Sequence, residues 1–385
     1  MGFTRPSVQT ELDRFYKSLS RSPIAFESVS KSAFTQSRKK LKPEVFIELA
    51  NEHMDYFYTK SPYQKLWKSK RVVAIDGSLL NLPHTDEIEE EFGSILNQYE
   101  KLISARCSFA YDVCNELVID SEIAQRRSCE KELAVKHLQA LNAESDILVF
   151  DRGYPCQWLA GLLMQRGFQF CFRLSTGWKK ATDLMNEGHN DVDWVMRHNT
   201  HKLCDNMKLY NIPKQLNGLR LVAIDLPSGE KEILLTNLTD REQFNIQDIR
   251  ELYGMRWGVE ESYKSFKKTL HVEHFSGKSP QSVKQDFNAR VLMLNISTMI
   301  RTQGVDKDNI APNNKHPKQG NKTQVMAKMK DFLIDIFYSN RIPRLVKQML
   351  KILQSRLEII RPNRSFERSS SSARRRAKII NYKGI

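Results

Sequence analysis

Short apolar runs closed by aspartate organise the first half of this chain. Val72-Val73-Ala74-Ile75 is unbroken and partly β-branched, which predicts a buried strand, and Asp76-Gly77-Ser78 follows where a turn is expected. Ile147-Leu148-Val149-Phe150 repeats the pattern and is closed by Asp151-Arg152-Gly153, with Pro155 placed for a helix start. Between these runs the pattern predicts strands around 103–111 and 117–123 and a helix around 128–141. A helix around 156–166 and a strand over 168–174 follow the second run, and 219–226 and 232–236 read as strands joined by the turn Pro227-Ser228-Gly229.

The periodicity then changes to helical. Leu252, Val259, Tyr263, Phe266 and Leu270 form an apolar stripe at helical spacing. Tyr253, Arg256, Glu260 and Lys267 fall within roughly 60° of one another at 100° per residue, beside that stripe. A carboxylate can bind a divalent metal, and Arg and Lys can hold phosphate oxygens. The bland alternative for any one of these residues is a solvated helix face, and an aspartate ending a strand often only caps the next turn. Two such aspartates together with the helix glutamate make a set of three carboxylates.

Those residues carry a resemblance. The chain resembles insertion-sequence DDE transposases of the insertion-sequence-four type, in the branch with a Tyr-x2-Arg-x3-Glu-x6-Lys signature, which Tyr253, Arg256, Glu260 and Lys267 match at every step. Asp76 before Gly-Ser and Asp151 in Asp-Arg-Gly-Tyr match the two aspartate motifs, and 32–41 and 361–366 resemble the two ends of such proteins less specifically. The resemblance selects Glu260 over Glu261, which points about 100° away toward Trp257, Lys264 and Lys268. It implies Asp76, Asp151 and Glu260 as catalytic residues and ligands of two Mg²⁺ ions, with Mn²⁺ able to substitute. Arg256 and Lys267 would position phosphates, and Tyr253 would either bond a terminal phosphate or pack. One departure concerns hairpin formation: some relatives use a tryptophan just upstream of the signature helix, and this chain has none between Cys204 and Leu252.

Strands first, then helices alternating with strands, fit an α/β fold with an RNase H-like mixed sheet and flanking helices, whose first and fourth strands lie side by side. The expected parts are an N-terminal helical, DNA-binding region (1–68), a catalytic core (69–175 and 246–302) and a polar loop (303–323). C-terminal helices (324–360) and a basic tail (361–385) complete them. The resemblance implies that 176–245 is a β-rich insertion into the core.

Composition agrees with a DNA partner. The 385 residues carry 60 Lys and Arg against 45 Asp and Glu, an excess that attracts polyanions but does not separate DNA from RNA or an anionic membrane surface. The segment 361–385 has eight of those cations and a single acid, Glu367, so it reads equally as an arm along phosphates or a solubilising tail. No apolar stretch is long enough to span a bilayer, no secretory signal opens the chain, and the six cysteines are dispersed. A cytoplasmic, prokaryotic and nucleoid-associated protein is expected, acting as a homodimer on element terminal inverted repeats and target DNA, with no membrane. Two alternatives stand beside transposition: an RNase H-like nuclease or resolvase that cuts without joining, and a catalytically silent DNA-binding remnant.

Overall fold

The computed structural model describes residues 7–20, 29–198 apart from 97 and 99, 204–226, 229–303, 318–322, 342–354 and 357–359, with a few isolated positions between 325 and 335. The tail 361–385 and most of the polar loop lie outside the described residues.

The two aspartate-closed runs become parallel neighbours. Strand β1 (Arg71–Asn81) pairs with β5 (Asp146–Phe150), with Arg71 opposite Asp146 and Ile75 opposite Phe150. Both are apolar because both are covered on two faces: Val72 to Ile75 and Ile147 to Phe150 are fully buried. Strands β2 (Ser94–Leu96), β3 (Lys101–Asp112), β4 (Leu117–Gln125), β6 (Gln169–Arg173), β7 (Asp191–Arg197), β8 (Gln215–Asp225) and β9 (Lys231–Thr236) complete one sheet. Among the described residues its order is β2-β3-β1-β5-β6-β9-β8-β7, with β4 beside β3. The expected adjacency of the first and fourth core strands is therefore met, and the fold is a mixed α/β sheet with flanking helices. Beyond β6 the pairings β6–β9, β9–β8 and β8–β7 are antiparallel, so the strands of the 176–245 segment extend the sheet.

Two expectations need correction. Asp76 does not end its strand: β1 runs on through Gly77 and Ser78 to Asn81. The turn signal of Gly-Ser is overridden because this stretch has partners in space, among them Tyr263 and Ser108, whose hydroxyls both donate to the Asp76 carbonyl. The signature is also not on one helix. Helix α9 (Ile246–Gly254), started by a capping box between Asn245 and Asp248, stops at Gly254, and α10 (Trp257–Lys268) begins after a tight turn. The Arg256 N–H reaches the Tyr253 carbonyl and the Gly258 N–H the Met255 carbonyl, the shortened bonds of a 3₁₀ turn. Gly254 supplies no helix propensity to resist the break.

The chain divides into two compact units. One holds Gln64–Ser78 and Arg106–Tyr263. Its main core joins Ile75, Phe150, Phe170 and Phe172 with α6 (Gln157–Gln165), and a second cluster packs Trp67, Phe244, Ile249, Leu252 and Tyr253 against the other face of β5 and β6. Helix α5 (Glu130–His137), extended by a 3₁₀ turn through Ala140, follows β4 in this unit. The other unit contains α1 (Val8–Ser20), α2 (Lys31–Arg38), α3 (Glu44–Lys60), α4 (Asp86–Phe92) and α11 (Pro280–Gln303). There α3 packs along α11, and Arg38 ends α2 with bonds to Gln285, Ser276, the Ser282 carbonyl and Asp286.

Candidate active site

Asp76 and Asp151 come one residue after the paired Ile75 and Phe150, so the parallel register sets the two carboxylates side by side. Asp76 Oδ1 accepts from the Gly77 N–H at 2.8 Å, and Asp151 Oδ1 accepts from the Gly153 N–H at 2.7 Å, which orients each locally. Among the described residues neither has a cationic partner within salt-bridge distance. Burial pushes the Asp76 carboxyl up to about 7, and Asp151 and Glu130 push the same way, against the Gly77 N–H and Arg256. Loss of solvent is the main cause, and the neighbouring carboxylates add to it.

Glu130 was not foreseen. It opens α5, ion-pairs with Arg106 of β3 and stands against β1: a Cβ on Gly77 would come within 3.1 Å of its Oε1. A side chain at 77 would need the Glu130 carboxylate to shift by a few tenths of an ångström. Behind Asp76 runs a buried chain in which Asp120 contacts His137 Nδ1 at 2.6 Å and His137 Nε2 contacts Ser108 Oγ at 2.9 Å. The Ser108 hydroxyl donates to the Asp76 carbonyl at 3.3 Å, and the Tyr263 hydroxyl donates to the same oxygen at 2.8 Å while its ring stacks on Phe109. These contacts fix the backbone that carries the carboxylate.

The signature residues divide. Arg256 is 5% exposed; its Nε donates to the Tyr253 hydroxyl at 3.1 Å and its Nη2 to Glu260 Oε1 at 2.8 Å. Tyr253 is buried among the apolar side chains, which pushes its phenol up to about 12. Glu260 is half-buried and Glu261 exposed, so the face separation expected of that pair is present. Lys267 falls in the other compact unit, where its ammonium donates to the Leu79 carbonyl at 2.7 Å. The structure thus brings Asp76 and Asp151 together and gives Glu260 to Arg256. Among the described residues no three His, Cys, Asp or Glu side chains are grouped to hold a metal ion.

A carboxylate pair on adjacent parallel strands is a hard-oxygen donor set, and Mg²⁺ commonly takes one or two carboxylates and completes its shell with water and phosphate. The aspartate pair fits such an ion, while Glu260 is bonded to Arg256.

The family model described as Transposase DDE domain matches residues 67–296, more than half of the chain. The chain belongs to the transposase DDE domain family. Within that match lie both aspartates and the whole signature. The chain is 21% identical over 279 residues to the transposase InsG for insertion sequence element IS4 of Escherichia coli strain K12, covering 70% of this chain and 60% of that protein. It thus spans about three-fifths of that relative's length. A piggyBac transposase synaptic complex with hairpin DNA is similar at a TM-score of 0.43 and 10% identity, over 74% of this chain and 57% of the other. Among the described residues no helix is long and apolar enough to cross a membrane.

Proposed function

We propose that this DDE-family chain is a DNA transposase of the Tyr-Arg-Glu-Lys branch, cutting at the ends of an insertion sequence and joining the freed 3′ ends to target DNA. The observation that carries the reading is the aspartate pair: two carboxylates set side by side by the β1–β5 register, within the matched family region. In the first step a water oxygen attacks the phosphorus at the element end, and the 3′ oxygen leaves as a hydroxyl. In the second that hydroxyl attacks a target phosphodiester, and the target's own 3′ oxygen leaves. No covalent enzyme intermediate is required.

Asp76, Asp151 and Glu260 would hold two divalent ions, Mg²⁺ or Mn²⁺. When bound, these supply charge neutralisation for the phosphate and a lowered pKa for the attacking water. The protein's own contribution is placement. Gly77 and Gly153 N–H groups orient the aspartates, Tyr263 and Ser108 hold the β1 backbone, and Arg256 aims Glu260. Lys267 and the basic segments 38–42 and 361–385 are assigned to the DNA, bound by a homodimer at terminal inverted repeats in a prokaryotic cytoplasm, while the buried Tyr253 keeps the packing role and holds Arg256. We assign 1–68 to end binding and 69–175 with 246–302 to catalysis. The segment 176–245 is the insertion between the two core parts.

Pre-cut element ends incubated with the protein, Mg²⁺ and supercoiled target plasmid test this. Joined product is expected. Vigorous cleavage of uncut ends without any joining would leave a nuclease, and binding without either would leave a silent remnant.

A further inference from the structure

Two buried tyrosines stand near the Asp76 strand, and they differ in what their hydroxyls do. Tyr263 spends its O–H on the Asp76 carbonyl at 2.8 Å. Tyr154 is 1% exposed, its ring lies against Phe150 with centroids 5.3 Å apart, and its hydroxyl has no hydrogen-bond partner among the described residues. A buried hydroxyl left unpaired destabilises a fold, and such groups in native proteins call for a reason.

The surroundings of Tyr154 supply one. Its N–H closes a turn on the Asp151 carbonyl at 3.2 Å, which ties the residue to one aspartate. Burial first, then the negative charges of Asp76, Glu130 and Asp151 in that order, hold its phenol protonated well above the ordinary range. The geometry places it too: the ring packs on Phe150, whose register partner Ile75 precedes Asp76, and a tyrosine hydroxyl is a donor at neutral pH. Arg106, the cation acting in the opposite direction, is engaged by Glu130. Nothing in packing alone requires an oxygen there, since a phenylalanine would fill the same space.

We propose that Tyr154 is a positioning residue for the aspartate pair, its buried, unpartnered hydroxyl a reserved donor to a carboxylate of that pair when a divalent cation is bound. A donor on the outer oxygen of a ligating carboxylate fixes which lone pair faces the metal, and partners of this kind matter to affinity as well as rate. The inference rests on the metal-dependent reading given above and adds a residue to it.

Tyr154→Phe in the full-length chain tests it, with Mn²⁺ alone as the probe. Without metal the variant should melt at the same temperature as wild type or higher, because an unpaired buried donor has been removed. Its affinity for element-end DNA should be unchanged. The Mn²⁺ concentration giving half-maximal thermal stabilisation should rise about 10-fold or more, and kcat for cleavage should fall with KM for DNA unaltered. A wild-type Mn²⁺ midpoint and wild-type kcat would overturn the proposal, as would a lowered melting temperature with an unchanged midpoint. Asp151→Asn run in parallel separates the two levels of inference. If its Mn²⁺ midpoint also stays at the wild-type value, the metal site itself is misassigned and the role of Tyr154 falls with it. If Asp151→Asn shifts and Tyr154→Phe does not, the tyrosine proposal alone fails.

Discussion

The strand pair β1–β5 carries charge at both of its ends, and the two ends are built on opposite principles. At the first register position Arg71 meets Asp146: Nε and Nη2 donate to the two carboxylate oxygens at 2.8 and 2.6 Å. The Asn142 N–H and the Ser145 hydroxyl add bonds at 2.8 and 3.2 Å, so the fully buried Asp146 carboxylate is surrounded by donors. At the far end Asp76 meets Asp151, like against like, with one backbone N–H for each and an unpaired tyrosine hydroxyl nearby. A buried charge with all its partners supplied by the chain is architecture. A half-buried carboxylate pair without them leaves room for a partner from outside, and on the transposase reading proposed above that partner is a divalent cation with the DNA phosphate.

The largest effect should come from the unpaired end. Asp76→Ala, Asp151→Ala and Glu260→Ala are each expected to lower cleavage by about 10³-fold or more, because ligands that act as a unit are lost as a unit. Element-end binding, measured by mobility shift, should persist. A Glu261→Ala protein that is dead while Glu260→Ala cuts would reverse the choice between the neighbouring glutamates.

The paired end should respond in stability instead. Arg71→Ala strands the Asp146 carboxylate in a site of 0% exposure, and breaking a buried pair from one side costs about 3–5 kcal/mol. Denaturant unfolding should show that loss. If Arg71→Ala unfolds like wild type, the contrast between the ends collapses.

A third difference lies in pH. With a folded pKa of about 7 against a reference of 3.8, Asp76 binds its proton more tightly in the folded chain than in the unfolded one. Its contribution is therefore fully present below about pH 4 and is lost as pH rises through 7. In chelator, wild-type stability should fall relative to Asp76→Asn across that window by about 2–4 kcal/mol. Parallel pH curves for the two proteins would show that Asp76 is not held neutral by its surroundings.

Much of this was legible in the amino-acid pattern, and the failures share a cause. Val72 to Ile75 and Ile147 to Phe150 announce buried strands because both faces of each must be apolar, and their closing aspartates follow in register. The continuation of β1 through Gly77 and Ser78 was not legible, since it depends on partners distant in sequence such as Tyr263 and Ser108. The 100° pattern runs on past Gly254 to Arg256, and one glycine inside it does not say whether the helix stops there, so the break between α9 and α10 was hidden. Glu130 sits unremarkably at a helix start, and only the fold places it against Gly77. Tyr154 stood in plain view within Asp-Arg-Gly-Tyr, but a sequence does not say which hydroxyl lacks a partner.

Arg256 tests where the border between the two kinds of charge runs. Its geometry resembles the Arg71 end: a buried guanidinium bonded to Tyr253 at 3.1 Å and Glu260 at 2.8 Å, between the rings of Tyr253 and Trp257. Its position, one helical turn before Glu260, belongs to the reactive end. If it is only architecture, Arg256→Lys should lose stability and leave the chemistry of the surviving folded protein intact. If it aims Glu260, the planar fork is what matters, because a lysine has one point charge and cannot bond the tyrosine oxygen and the carboxylate in the same geometry. We expect the second outcome: strand transfer of pre-cut ends lower by about 10–100-fold per folded molecule, the range usual for loss of a group that orients a metal ligand. Joining assays normalised to the folded fraction at each denaturant concentration decide between them. A full joining rate in Arg256→Lys would move this arginine to the side of Arg71, leaving the two aspartates and Tyr154 as the part of the sheet reserved for chemistry.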